Sequence, residues 1–289
     1  MTKNFKKIVL LSCDDVWKMV EDDHLLINEL TNQGYEVTTV SWNSKTDWSR
    51  FDLALIRTTW DYTKHLEAFL QVLQDITKTT PLLNTIDVVR WNCHKGYLKE
   101  LQGHGIKLLP TVFFSHSDHL ALPDDWKGNR FIIKPCVSAG AYKTTILSRH
   151  EVEDGTYRNE MIPGDWMCQP FLESIKEGEV SLLFFNRQFS HALNKVPKDG
   201  DFRVQEEFGG TVVPLNPSEK LLKLGHEIIK LVPYDILYAR VDLVPFENSY
   251  ALMELEMIEP SLYFRSNAEA AKNFVSALEV FTKKMSSLI

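Results

Sequence analysis

Two short charged stretches near the C-terminus, Arg240-Val241-Asp242 and Glu254-Leu255-Glu256, constrain the fold of this chain more than any other feature. Each lies in a run with strand alternation, and Glu247-Asn248-Ser249 between them reads as a turn. A hairpin centred on Asn248 sets Asp242 opposite Glu254 and Arg240 opposite Glu256. Strand side chains alternate in direction, so these residues share one face, with Val244 and Leu252 as neighbours. The opposite face would hold Leu237, Ala239, Val241, Leu243, Ala251, Met253, Leu255 and Met257, all apolar. One face suits a core; the other gathers carboxylates around an arginine.

Carboxylates packed this closely repel one another unless a cation neutralises them. Mg²⁺ prefers oxygen ligands and is commonly held by a carboxylate or two together with substrate phosphates. The same residues also read as a solvated polar face with an Arg–Glu surface pair.

At 289 residues the chain has room for two domains or one large α/β domain. Its net charge of −7 argues against a nucleic-acid backbone or an anionic membrane as the main partner. Cys13, Cys93, Cys136 and Cys168 have no metal-ligand spacing and read as reduced thiols of a cytoplasmic protein. Lys3, Lys6 and Lys7 before Ile8-Val9-Leu10-Leu11-Ser12-Cys13 loosely imitate a lipoprotein signal. The apolar run is too short, however, and Asp14-Asp15 follow at once, so a buried first strand is expected. No apolar run approaches the ~20 residues that span a bilayer.

Strand and helix alternate through residues 1–85: strands at 7–12, 35–42 and 51–57, helices at about 22–33 and 64–77, and an extended segment from Pro81. This predicts a small doubly wound α/β domain. Ligands of such sheets bind beyond the C-terminal strand ends, where Arg57-Thr58-Thr59-Trp60-Asp61-Tyr62 lies. Arg57 could hold a substrate carboxylate there, with Trp60 and Tyr62 walling the pocket and Asp61 beside it; an Arg57–Asp61 ion pair closing a loop fits equally well. A helix over 87–103 carrying Lys95 comes next. Strands are expected at 111–115, 131–135, 143–148 and 167–172, and a hairpin over 180–193. Gly209-Gly210 reads as a mobile turn, and helices are expected at 217–231 and 266–284.

Lys134 ends an apolar strand and precedes Ser138-Ala139-Gly140-Ala141. Small residues let backbone N–H groups approach phosphate oxygens, and a lysine adds a point charge. No GxxxxGK[ST] and no GxGxxG after a strand occurs. Gln169-Pro170-Phe171-Leu172 could offer backbone groups to an adenine edge, and an acidic residue soon after could accept from ribose hydroxyls.

The order Lys95, then Lys134 with its small-residue loop, then Gln169–Glu179, then Arg240, Asp242, Glu254 and Glu256 resembles the ATP-grasp superfamily, specifically its glutathione-synthetase-like ligases. The resemblance covers roughly 84–265, and the first 85 residues fit the small α/β domain preceding it in those enzymes. It implies an ATP-grasp fold divided at about 1–85, 86–172 with a lid over 110–168, and 173–289. It further implies that Lys95 and Lys134 contact ATP phosphates, that Gln169, Pro170, Phe171 and Leu172 receive adenine, and that Glu179 takes the ribose. Asp242, Glu254 and Glu256 would hold two Mg²⁺ ions, Glu256 standing where many relatives carry Asn. Arg240 would stabilise the transferred phosphoryl group, and Lys195 and Arg203 lie in the segment that reaches toward substrate in relatives. Within the superfamily, Arg57–Tyr62, Ser190-His191-Ala192-Leu193-Asn194-Lys195 and Glu254-Leu255-Glu256-Met257-Ile258-Glu259-Pro260-Ser261-Leu262 resemble the cyclo-ligase subgroup that includes the enzyme closing O-ureido-D-serine to D-cycloserine. The resemblance thus implies an ATP- and Mg-dependent ligase acting on a small amino-acid-like substrate. An intermolecular amino-acid ligase and a non-catalytic ATP-binding module are the alternatives. Relatives often form homo-oligomers; no interface signal stands in this sequence.

Overall fold

A computed structural model describes residues 5–14 and 21–287; Lys3 and Asp15, which entered the reading of the N-terminus, lie outside them. Strands β1 (Lys7–Ser12), β2 (Glu36–Ser41), β3 (Leu53–Thr58) and β4 (Leu82–Leu83) form a parallel sheet in the order β2-β1-β3-β4. β3 is buried along its whole length and β1 nearly so, as expected for central strands of a parallel sheet covered on both faces. Helices α1 (Glu21–Asn32) and α2 (Leu66–Thr77) supply Leu26 and Leu30, and Phe69, Leu73 and Ile76, to the cores on either side.

The helix expected over 87–103 is broken into α3 (Ile86–Asn92) and α4 (Tyr97–Gly103), and Lys95 sits in the break. The Lys95 N–H donates to the Cys136 carbonyl, 2.9 Å away, instead of continuing the helical ladder. The break turns the lysine into the protein, where an unbroken surface helix would have left it exposed.

Strands β5 (Val112–Ser115), β6 (Arg130–Pro135), β7 (Thr145–Ser148) and β8 (Asp165–Pro170) form an antiparallel sheet ordered β5-β8-β6-β7, with the short helix α5 (Arg149–Glu153) after β7. Its apolar residues, Phe131 and Trp166 among them, make a core of their own. A second antiparallel sheet is ordered β11-β10-β9-β12-β13: β9 (Glu179–Phe185), β10 (Gln188–Val196), β11 (Thr211–Leu215), β12 (Tyr238–Phe246) and β13 (Ser249–Glu256). β11 went unread because it is an edge strand containing Pro214 with its apolar Val213 half exposed, so neither alternation nor burial marks it.

Helix α6 (Glu219–Leu231) packs on this sheet so closely at Gly225 that an added Cβ would stand 2.6 Å from Leu182 Cδ1. The C-terminal helix α7 (Ala270–Ser286) joins the N-terminal sheet to this one: Phe274 and Leu278 share a core with Ile8, Leu10, Leu26, Phe185 and Tyr238. Among the described residues no helix is long and apolar enough to cross a membrane.

The β12–β13 hairpin pairs Arg240 with Glu256 and Asp242 with Glu254, as alternation predicts, but by another route. Phe246 pairs with Ser249 across a two-residue turn, Glu247-Asn248, with Glu247 at φ 52°, and a β-bulge at Met253 restores the expected register. The bulge exchanges faces below it. Leu252 joins Leu243 in the core, whereas Ala251 joins Val244 in a separate cluster against which Met253 packs. The apolar face is therefore corrected at Ala251, Leu252 and Met253, and Met253 is re-aimed toward the charged side, a common use of a bulge beside a functional site.

Candidate active site

The two antiparallel sheets and the N-terminal unit enclose a cavity of about 570 Å³, within the usual range for a small-molecule site. Of the residues singled out in the sequence, Trp60, Lys95, Lys134, Gln169, Pro170, Phe171, Leu172, Glu179, Lys195, Arg203, Arg240, Asp242, Glu254 and Glu256 all line it. Arg57 and Asp61 do not. The Arg57 guanidinium, 2% exposed, donates from Nη2 and Nε to Asp23 Oδ1 on α1, at 2.9 and 3.2 Å, and lies near the Tyr238 and Phe264 rings. Asp61 accepts from the Trp42 indole N–H at 2.7 Å. The expected Arg57–Asp61 pair is thus replaced by a partner 34 residues before the arginine.

The hairpin carboxylates are each turned to a cation. Asp242 receives Arg240 Nη2 at 2.9 Å and faces Lys195 Nζ at 3.3 Å, and the Ser181 hydroxyl also bonds to it. Glu256 pairs with Arg240, and Glu254 receives Lys95 Nζ at 3.0 Å. Lys95 also donates to the Ser138 carbonyl at 2.8 Å, which ties the small-residue loop to the carboxylate wall. In that loop Gly140 and Ala141 both have φ 57°, a left-handed conformation that a bulky side chain would resist. Lys134 reaches the same space, with the Met253 sulfur 4.0 Å from its amine and, among the described residues, no carboxylate in ion-pair contact. Lys195 is shared between Glu179 and Asp242.

Burial works against all these charges, and neighbours decide the outcome. Burial would raise Asp242, but Arg240 and Lys195 outweigh it and hold the carboxyl down at about 2. Burial likewise opposes the Glu254 charge, and Lys95 and Lys134 pull its pKa below the ordinary value. At Glu256 burial prevails, aided by repulsion from Glu254 and Asp242, and lifts the group to about 7 despite Arg240. Burial lowers Lys134.

Among the described residues no group of three acidic, cysteine or histidine side chains is arranged as a ready metal cage. The donor chemistry nonetheless fits Mg²⁺: Asp242, Glu254 and Glu256 put hard oxygen ligands on one wall, beside lysines suited to phosphate. In the Gln169–Leu172 segment, the Phe171 N–H is committed to the Arg130 carbonyl at 3.0 Å, and Gln169 Nε2 donates to Thr111 Oγ1 at 3.0 Å. Arg203 forms a pair with Asp201 at 2.7 Å and stacks on Phe208, 3.8 Å from its ring centre.

The segment immediately after β13 was singled out in the sequence for its resemblance to the cyclo-ligase subgroup, but no role was read for its residues. Residues Met257 to Leu262 form neither helix nor strand, yet every one of their carbonyls accepts from a different side chain. Asn84 Nδ2 bonds Met257 O at 2.7 Å, the Tyr238 hydroxyl bonds Ile258 O at 2.8 Å, and the Trp60 indole bonds Glu259 O at 3.1 Å. Arg57 Nη1 bonds Pro260 O at 3.4 Å, Arg240 Nη1 bonds Ser261 O at 3.1 Å, and His191 Nε2 lies 3.0 Å from Leu262 O. Irregular backbone buried beside a site must find such partners, and here they come from across the chain. Glu259 and Tyr263, both lining the cavity, are presented by this run. The signals in the sequence were the resemblance of the 254–262 stretch to that subgroup and an acidic residue set between Ile258 and Pro260.

Comparison with known proteins agrees with this geometry. Residues 8–84 match the family model of the N-terminal domain of the D-cycloserine synthetase DcsG. Residues 124–261 match that of the prokaryotic glutathione synthetase ATP-grasp domain. The chain is 28% identical to the cycloserine biosynthesis protein DcsG of Streptomyces lavendulae, over 88% of this chain and 91% of that protein. The crystal structure of D-cycloserine synthetase DcsG superposes with a TM-score of 0.85 at 22% identity, covering 96% of this chain and 99% of the other. That of D-alanine–D-alanine ligase from Bacillus anthracis gives 0.73 at 14% identity, covering 98% and 99%. The first match covers the parallel sheet and the second most of the two antiparallel sheets, and the residues expected to handle ATP meet in one cavity: the chain has the ATP-grasp fold and is similar over most of its length to ligases built on it.

Proposed function

We propose that this enzyme uses ATP and Mg²⁺ to form a carbon–nitrogen bond within or onto a small amino-acid-like substrate, by way of an acyl phosphate. The observation that carries the reading is the convergence of Lys95, Lys134, Arg240, Asp242, Glu254 and Glu256 on one cavity bordered by the Gln169–Leu172 segment. Similarity to the cycloserine biosynthesis protein favours ring closure within one substrate.

In this reading Lys95 and Lys134 hold the phosphates, and Asp242, Glu254 and Glu256 hold Mg²⁺. The metal, when bound, would neutralise charge on the β- and γ-phosphate oxygens. Gln169 to Leu172 border the adenine, with Leu172 and Phe202 as apolar walls, and Glu179 faces the ribose. The protein supplies no covalent nucleophile. A substrate carboxyl oxygen takes the γ-phosphoryl group, and a nitrogen then displaces phosphate from the activated carbonyl. Arg240, locked by Asp242 and Glu256, presents a fixed positive charge to the developing negative charge. Lys195 holds Asp242 and Glu179 in place from below. Arg203 sits on the 202–207 segment that lines the cavity and would close on substrate.

The test is ADP and phosphate release with Mg-ATP against amino acids, D-amino acids and their ureido and hydroxamate derivatives, singly and in pairs. Turnover with a single compound supports ring closure, and turnover only with a pair supports intermolecular ligation. Asp242→Asn should lower turnover about 10³-fold without unfolding the protein. ATP binding without ADP release under every condition would sink the ligase reading.

A further inference from the structure

Glu259 is the carboxyl group that the ligase reading leaves unexplained. It lines the cavity, is 8% exposed, and among the described residues no side chain donates to it and no lysine, arginine or histidine pairs with it. The three hairpin carboxylates share the cavity and each has a cation. A largely buried carboxyl that no other side chain holds is costly, its own backbone N–H being a small compensation, and the cavity it lines is where a ligand can complete it.

Its surroundings define that ligand. Glu259 lines the cavity together with Trp60, Tyr62, Asn92 and Cys93, and the Trp60 indole is bonded to its carbonyl. Burial, with repulsion from Glu256 and Glu254 that Lys95 only partly offsets, holds its carboxyl well above the ordinary range, and a charge on it would in turn raise Tyr62 and Cys93. An arriving cation would relieve both effects. Trp60, 38% exposed, is clamped by its indole N–H to the Glu259 carbonyl and offers an aromatic wall, which complements an ammonium group better than a neutral one. The backbone beneath is fixed: the carbonyls on either side of Glu259 are held by Tyr238 and Arg57, so the carboxyl is presented by a rigid frame.

We propose that Glu259 is the specificity-determining anchor for the ammonium group of the substrate, holding an amino-acid-like compound beside Trp60 and Tyr62 with its carboxyl directed toward the ATP phosphates. This rests on the ligase reading but assigns a role that reading does not use. The anchor selects substrates that keep a free amine through the reaction, so the nitrogen that forms the new bond is a second one.

The protein loaded with Mg²⁺ and a non-hydrolysable ATP analogue would be titrated calorimetrically with O-ureido-D-serine, D-serine and the des-amino counterpart of each. Wild type should bind the amine-bearing compounds better than their counterparts. Glu259→Gln should weaken only the former, by about 10- to 100-fold, with the affinity for the ATP analogue unchanged. Glu259→Asp should recover part of the loss. Because Gln removes a buried unpaired acid, the variant should melt no lower than wild type, which separates lost binding from lost folding. Equal binding by wild type and Glu259→Gln, equal weakening of the des-amino compounds, or no binding of any amine-bearing compound to wild type would overturn the anchor. ADP release driven by a compound lacking the amine would overturn it too while leaving the ligase reading standing. Ammonium binding without ADP release would do the reverse.

Discussion

Arg57 and Arg240 occupy nearly equivalent places and face different surroundings. Each is a buried arginine on a central strand, each is paired with aspartate, and they donate to the neighbouring carbonyls of Pro260 and Ser261. Arg57 lies behind the irregular run at the end of β13, sealed by Asp23, Tyr238 and Phe264. Arg240 lies in front of it, on the cavity wall, and shares Asp242 with Lys195. The difference teaches that burial and pairing do not by themselves mark a catalytic group; what matters is whether the paired charges face a space that a ligand can enter.

Breaking the rear pair should produce the largest effect on stability. Arg57→Met leaves Asp23 buried without a cation and should cost roughly 3–5 kcal/mol, read as a shift in the denaturation midpoint. Arg57→Met with Asp23→Leu should recover much of that, because no charge is then stranded. Turnover per folded molecule should stay within a few-fold of wild type in the double variant. Loss of turnover with unchanged stability would return Arg57 to the substrate site.

The front pair should respond the other way. Arg240→Lys keeps a charge between Asp242 and Glu256 but loses the planar fork that bonds both of them and Ser261 at once. Its kcat should fall about 10²- to 10³-fold, equivalent to roughly 3–4 kcal/mol, with a melting temperature close to wild type. A variant that instead unfolds with kcat intact would make Arg240 a second structural clamp and erase the contrast.

The contrast also explains what could be read from the sequence. The hairpin register was legible because strand alternation forces Asp242 and Glu254 onto one face; the bulge at Met253 was not, since its turn length has no unique sequence mark. The parallel sheet was legible from its apolar runs. The role of Arg57 was not, because its partner lies on α1, and a motif ending in Trp60-Asp61-Tyr62 offers a nearer acid that the fold turns toward Trp42. Lys95 was recognised but placed on a continuous helix, since nothing local shows that its N–H belongs to Cys136. Glu259 escaped because its meaning depends on a missing partner, and absence of a partner is a property of the folded chain.

The smallest expected effect concerns His191, which holds the next carbonyl along, that of Leu262, and whose other ring nitrogen lies 3.0 Å from the Ser190 hydroxyl. The ring is 4% exposed, and burial lowers its pKa to about 4 despite the bond to Leu262. An unfolded histidine titrates near 6.5. The folded value is the lower one, so the stability contributed by the neutral ring is present above pH 6.5 and drains away as pH falls toward 4. Between pH 7 and pH 5 wild type should lose about 2 kcal/mol from this group beyond what His191→Asn loses over the same interval. His191→Asn should be the less stable protein at pH 7, having lost a carbonyl clamp, and the gap should narrow on acidification. Parallel stability curves for the two proteins would mean that the ring already accepts a proton in the fold, and that the Leu262 carbonyl is held by a charged group, as its neighbours at Pro260 and Ser261 are.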